Sequence, residues 1–412
     1  MDSAELLEPV EERKINFVSV SHEVHRACQV SCAITKKAFP SIKCAAACEY
    51  FAGNAEKFLA DEIIATDASK SFVTFQPLGP ILAVMPWNFP FWQVFRAAAP
   101  ALMAGNALIL KHASNVPGCA EAIAGIFKEA GLPAGLFSNL RLGNREAEEL
   151  IDHPAIKAAT LTGSVRAGRA IAARAGKALK KTVLELGGSD PYVVLEDADL
   201  EKAVEICVTA RLINSGQSCI AAKRFIVVKP VLKKFEELFV TRMKKEKTGD
   251  PLDERTTVGP MAREDLRDEL HKQVERTIAQ GARRLLGGTM PEGNGYFYPP
   301  TVLTGVCKGM TAFDEETFGP VAAIIEAADE AGAIRLANDS AFGLGAAVFT
   351  RDIQRGERIA STELQAGACF VNAAVNSDQR LPFGGIKNSG YGRELSSFGI
   401  REFVNTKSVF IK

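Results

Sequence analysis

From about residue 80 the chain settles into a beat that few folds can satisfy. Short apolar runs alternate with segments of helical period. Ile81 to Val84 reads as a strand, Phe91 to Gly105 as a helix and Ala107 to Leu110 as a second strand. Pro117 to Ala130 then reads as a helix, Gly135 to Leu140 as a strand and Arg145 to Ile151 as a helix. Ile156 to Leu161, Ala167 to Ala178 and Thr182 to Leu186 continue the order. Strands separated by whole helices are joined by crossovers, not hairpins, and so lie parallel in a sheet covered on both faces. The reading is α/β, with a Rossmann-like first domain.

After Gly188 a second α/β unit opens with Pro191 to Leu195 and helices near 199–212 and 230–246. Turn-rich Pro251 to Pro260 and Met290 to Pro300 mark loops within it. Ahead of the alternation, Val24 to Pro40 fits a helix weakly, because cysteines and scattered charges blur its period. No internal repeat or low-complexity tract appears.

Composition removes several function classes. A chain of 412 residues holds two or three domains with sizeable cores. Its 49 basic and 49 acidic residues cancel, which leaves no electrostatic footprint for nucleic acid or an anionic membrane. Apolar runs stop well short of the ~20 residues of a membrane span, and the acidic opening does not resemble a signal peptide. Nine irregularly spaced cysteines suggest neither a zinc site nor a disulfide framework. A reducing, cytoplasmic setting is expected, with no metal.

Two short segments carry chemistry. Gly216-Gln217-Ser218-Cys219 puts a thiol after a polar glycine turn, and Glu185-Leu186-Gly187-Gly188 puts a carboxylate after the apolar run Thr182-Val183-Leu184. A thiol nucleophile and a carboxylate base are what covalent chemistry on a carbonyl needs. The plain alternatives are a small buried thiol and a glutamate at a strand end. Leu161-Thr162-Gly163-Ser164 joins a strand to a helix, where exposed N–H groups suit a pyrophosphate.

With Pro86-Trp87-Asn88-Phe89-Pro90 and Glu315-Glu316-Thr317-Phe318-Gly319-Pro320, these segments resemble the aldehyde dehydrogenase superfamily over roughly nine-tenths of the chain. The likeness begins near Ala45 to Ala52, and the N-terminus reads as shortened or divergent. The resemblance implies three parts: a cofactor-binding domain over 1–188, a catalytic domain over 189–388, and a return segment with an oligomerisation strand over 389–412. Edge strand 71–77 would join that small β oligomerisation extension, and a homodimer or homotetramer is expected.

By the same resemblance Cys219 is the nucleophile, Glu185 the base for water and Asn88 the side-chain oxyanion donor. Lys111 matches a ribose-binding lysine. Ser114 stands where many NAD-preferring relatives carry a glutamate, which makes NADP the expected cofactor and NAD the alternative. Thr162, Gly163 and Ser164 would face the pyrophosphate, with Trp87, Leu186 and Gly187 nearby, although Trp87 and Phe89 also read as packing. Glu316 and Phe318 would hold the nicotinamide ribose.

The run around Trp92, Arg96 and Ala99 to Asn106 and the run Ser389 to Leu395 resemble the succinate-semialdehyde dehydrogenase branch. That implies a short aldehyde bearing a remote carboxylate, held by Arg96 and Ser377. The alternative for Arg96 is a helix ion pair. One departure is Ile213, where some relatives have a second arginine. Arg211 or Arg224 would have to substitute for it. Ala221, two residues past the nucleophile, argues against a local disulfide switch. Two other readings stay open: a broad-specificity aldehyde dehydrogenase, and a truncated relative without activity.

Overall fold

The computed structural model describes residues 39–412, so the helix expected over Val24 to Pro40 lies outside it except for its last two residues. The chain forms two compact units. One runs through Glu185 and takes back Asp378–Phe383 and Gly392–Lys412; the other holds Leu186–Ser377 and Gly384–Tyr391.

In the first unit, helix Phe39–Phe58 leads to β1 (Glu62–Ile63), β2 (Lys70–Pro77) and β3 (Pro80–Met85). Helix Trp92–Met103 then crosses to β4 (Ala107–His112), and helix Pro117–Glu129 to β5 (Phe137–Asn139). Helix Asn144–Asp152 precedes β6 (Ala158–Thr162), and helix Val165–Lys177 precedes β7 (Lys181–Glu185). The strands β7, β6, β3, β4 and β5 pair in that order, all parallel. Ile81, Leu82 and Ala83 are all fully buried, as a strand covered on both faces requires. A separate antiparallel sheet joins β1, β2 and the C-terminal strand Val404–Ile411, in register from Lys70 opposite Ile411 to Pro77 opposite Val404.

The second unit is built on β8 (Pro191–Val194), β9 (Arg224–Val228), β10 (Arg283–Leu286), β11 (Thr301–Thr304), β12 (Val321–Ala327), β13 (Gly345–Phe349) and β14 (Ala368–Val371). Their order is β10-β11-β12-β9-β8-β13-β14, parallel except for β10. Alternate residues feed opposite cores. Val193, Ile226 and Val228 join one, while Tyr192, Val194, Phe225 and Val227 join the other. Tyr192 spends its hydroxyl as an acceptor for the Val375 N–H at 2.8 Å, so its buried polar tip is satisfied. Among the described residues no helix is long and apolar enough to cross a membrane, and no cluster of metal-ligating side chains occurs.

Candidate active site

In the first unit the chain runs outward from β3 in both directions, to β4 on one side and β6 on the other. Such a reversal opens a crevice at the carboxyl ends of the strands. The residues singled out in the sequence gather on that edge. Asn88 and the half-buried Trp87 follow β3, Lys111 lies near the end of β4, Thr162 ends β6, and Glu185 ends β7. Lys111 is buried, donates to Asn144 Oδ1 at 3.0 Å, and has its pKa lowered by desolvation. Ser114 is exposed on the turn after β4.

Ser164 caps helix Val165–Lys177, its Oγ accepting the Ala167 N–H at 3.3 Å. Ser164 and Arg166 are exposed, so that helix opens to solvent with its positive dipole end outward. An exposed helix N-terminus, a lysine at a strand end and an exposed hydroxyl fit a dinucleotide's phosphates and ribose. Lys111, Ser114, Thr162, Gly163 and Ser164 would hold it there.

The turn carrying Asn88 is fastened by a residue the sequence reading passed over. His112 lies against it, with Nε2 3.0 Å from the Pro90 carbonyl, and Nδ1 3.2 Å from the Met85 carbonyl and 2.9 Å from the Ala113 nitrogen. Burial lowers its pKa, against the two carbonyls it faces.

Glu185 sits in a buried ionic cluster. Arg96, on helix Trp92–Met103, is only 2% exposed and is ion-paired through Nε to Glu394. Its Nη2 donates to Thr162 Oγ1 at 3.3 Å and lies 4.0 Å from Glu185 Oε2, and the guanidinium covers the Phe383 ring. The carboxylate that Arg96 holds is therefore one of the chain's own, a partner the sequence did not reveal. Burial pushes Glu185 well above the ordinary carboxylate range; Arg96 opposes that, and Glu394 adds to it. Burial raises the pKa of Glu394 as well, and there the Arg96 contact opposes it directly.

The second unit carries the thiol. Helix Leu200–Leu212 ends in a turn whose residues Asn214, Ser215 and Gly216 all take left-handed φ, at 51°, 55° and 76°. That turn is pinned from inside. Arg211 Nη2 donates to the Gly216 carbonyl at 2.7 Å, and Gln217 Oε1 accepts the Ala262 N–H at 2.8 Å. Lys223 Nζ donates to the Ser218 and Cys219 carbonyls at 3.0 and 2.7 Å. Cys219 itself is half-buried.

Leu186, Gly187 and Gly188 pass beside this turn. A Cβ on Gly188 would lie 2.8 Å from the Cys219 carbonyl oxygen, and one on Gly187 would collide with the Glu316 carboxylate. That carboxylate accepts the Gly188 N–H at 3.0 Å. The pair of glycines is thus the gap that lets the thiol turn and Glu316 approach this stretch of backbone. Ser389 supports them, donating to the Gly187 carbonyl at 2.7 Å. Gly188→Ala is expected to lower turnover about 100-fold, since a displacement near 1 Å is enough for that; steady-state kinetics on the folded variant would show it.

The remaining candidates are scattered. Phe318 is half-buried on the same loop as Glu316, and Ser377 is buried beyond β14. Of the two arginines considered as stand-ins for Ile213, Arg224 gives Nε, Nη1 and Nη2 to the carbonyls of Ser189, Leu336 and Ala337. It is buried and committed to the chain's own backbone. Arg211 is wholly buried.

A model of the aldehyde dehydrogenase family matches residues 27–409. The chain belongs to the aldehyde dehydrogenase family. It is 52% identical over 368 residues to the Escherichia coli K12 succinate semialdehyde dehydrogenase [NAD(P)+] Sad, covering 89% of this chain and 79% of that protein. A probable succinate-semialdehyde dehydrogenase [NADP(+)] of Synechocystis is 53% identical over 369 residues, covering 90% and 81%. Among solved structures, the Streptococcus pyogenes succinic semialdehyde dehydrogenase in complex with NADP+ superposes with a TM-score of 0.93 at 36% identity, covering 97% of this chain and 90% of that one. As an aldehyde dehydrogenase the chain has the mixed α/β architecture that the alternation of runs announced.

Three residues near the chemistry were not reached from sequence: Glu394, Lys223 and His112. One signal was available for Lys223. Lys223-Arg224 leads straight into the apolar run Phe225 to Val228, and two cations at the mouth of a buried strand call for internal partners.

Proposed function

We propose that the chain oxidises succinate semialdehyde to the acid with NADP, NAD serving as the alternative cofactor. Identity of about half to relatives named for that reaction supports it most strongly, together with a thiol turn and a buried carboxylate of the required types. In this reading the Cys219 thiolate attacks the aldehyde carbon to form a tetrahedral adduct. Its negative oxygen is shared by the Asn88 amide and the Cys219 N–H. The nicotinamide, when bound, accepts the hydride that the adduct loses. A thioester remains on Cys219. Glu185 then takes a proton from water, whose oxygen attacks the thioester carbonyl, and the carboxylic acid leaves as the thiol is restored.

Glu316 and Phe318 are assigned to the nicotinamide ribose, and Trp87, Leu186 and Gly187 to its surroundings. Arg96 and Ser377 are assigned to the substrate carboxylate. The pairing of Arg96 with Glu394 favours a second reading, a broad-specificity enzyme without carboxylate recognition. Turnover of succinate semialdehyde against a neutral aldehyde of equal length, with each cofactor in turn, decides between them. A preference of 10-fold or less would sink the first reading. Silence with both substrates and both cofactors would sink each.

Ser114 supports NADP because a hydroxyl accommodates a 2′-phosphate where a carboxylate repels it. Ser114→Glu is expected to raise KM for NADP at least 10-fold and to leave KM for NAD within about 3-fold. Equal change for both would remove Ser114 from the cofactor.

The strand Val404–Ile411 pairs on one side only among the described residues and exposes Phe410 and Ile411. An unpaired edge of this kind supports a homo-oligomer, a dimer or tetramer. The described cysteines are all thiols, which supports a cytoplasmic setting.

A further inference from the structure

We propose that Lys223 is a positioning residue for the reaction, a buried ammonium that aims the Cys219 N–H and biases the Cys219 thiol toward thiolate. The proposal rests on the reading of Cys219 as nucleophile.

The geometry selects the charged form of the lysine. Its side chain is 1% exposed, and Nζ has three acceptors: the Ser218 carbonyl at 3.0 Å, the Cys219 carbonyl at 2.7 Å and Glu316 Oε1 at 3.3 Å. An ammonium has three N–H donors, whereas a neutral amine has two and a lone pair that would face an oxygen. Burial lowers the lysine's pKa most; Glu316 and Asp190 raise it, Arg211 lowers it, and Cys219 raises it least. These are the charged groups that face it. Glu316 comes from the loop before β12, Asp190 from the residue before β8, and Arg211 from helix Leu200–Leu212.

Two consequences follow for Cys219. Every peptide bond of the described chain is trans, so the Ser218 C=O and the Cys219 N–H point opposite ways in one plane. Holding that carbonyl on Nζ fixes the Cys219 N–H in the opposite direction, away from the lysine. The second consequence is electrostatic. The attraction between Cys219 and Lys223 acts equally on both, so the same interaction that raises the lysine's pKa favours the thiolate over the thiol. Arg211, also wholly buried and bonded to the Gly216 carbonyl, adds a second positive charge to the same turn. Through Glu316 the same ammonium ties the thiol turn to the carboxylate that accepts the Gly188 N–H.

The test is the pH profile of Cys219 alkylation by iodoacetamide, read by mass spectrometry of the peptide that contains Cys219. Full-length wild type, Lys223→Met and Lys223→Arg are compared. Wild type is expected to titrate below the ordinary thiol value of about 8.5. In Lys223→Met the profile moves up by about one pH unit, which slows alkylation at pH 7 about 10-fold while the plateau at high pH is unchanged. Its kcat falls more than the KM for aldehyde rises, and Lys223→Arg recovers part of both losses. A Lys223→Met profile that superimposes on wild type overturns the proposal. Should the methionine variant not fold, wild type alone decides, because titration of Cys219 at or above the ordinary value overturns it equally. Turnover of Cys219→Ala separates the two failures. Activity surviving that change refutes the nucleophile, whatever the alkylation profile.

Discussion

Cys219→Ala is expected to abolish aldehyde oxidation, a loss on the order of 10⁴-fold or more, while the protein stays folded and keeps its affinity for cofactor. The fold has reason to survive. What holds the turn are backbone carbonyls, those of Gly216, Ser218 and Cys219, and an alanine keeps them all. Cys219→Ser should fail almost as badly, because a hydroxyl gains far less than a thiol from the same buried cations. Two other cysteines of the same unit are poorly suited to replace it. Cys207 is wholly buried with its pKa driven well up, and burial pushes the Cys369 thiol to about 11. Loss of turnover with cofactor affinity intact, read by titration of the variant, would tie the defect to the covalent step. Retained turnover would remove Cys219 from the mechanism.

How far the sequence could be read depends on the range of the interactions. The parallel sheet of the first unit was legible because each strand is a local apolar run and each crossover a local helical period, whereas in the second unit only β8 and the helices near 199–212 and 230–246 were read. Observed elements such as Pro80–Met85 and Trp92–Met103 fall within a few residues of the runs that announced them. Apolar residues also recur along 71–76 and 406–411, which marks both as strands. Their mutual pairing was not legible, since nothing local encodes a partner more than three hundred residues away. The same limit governs the site. Cys219 and Glu185 stand in compact motifs, and Gly187 and Gly188 announced a close approach without saying to what. The partner of Arg96 is Glu394, contributed by the returning C-terminal segment, and no periodicity brings those two residues together. Burial of charge is likewise a property of the whole fold. Arg96 reads from sequence as a helix arginine facing substrate, and only packing shows that it is enclosed with two carboxylates.

That enclosure sets the second large effect. Glu185→Gln is expected to leave the first turnover intact and to slow steady-state turnover about 10²–10⁴-fold, the range a positioned general base supplies. The thioester forms without Glu185 and then waits for water, so reduced cofactor should appear as a rapid burst of about one equivalent per active subunit. The pH dependence follows from the cluster. Glu185 must lose its proton before it can take one from water, and burial holds its pKa well above the usual carboxylate range. Wild-type hydrolysis should therefore rise with pH through a limb above that range, and the limb should vanish in the glutamine variant. Arg96 lowers the pKa of Glu185, so Arg96→Met should move the limb to higher pH. That variant also strands Glu394 in the interior, a change that costs roughly 3–5 kcal/mol when a buried pair loses one member, so its fold must be checked first. Rapid-mixing measurements across pH would read burst and limb together. Absence of a burst would place Glu185 before the thioester, and a limb that persists in Glu185→Gln would assign the titration to another group.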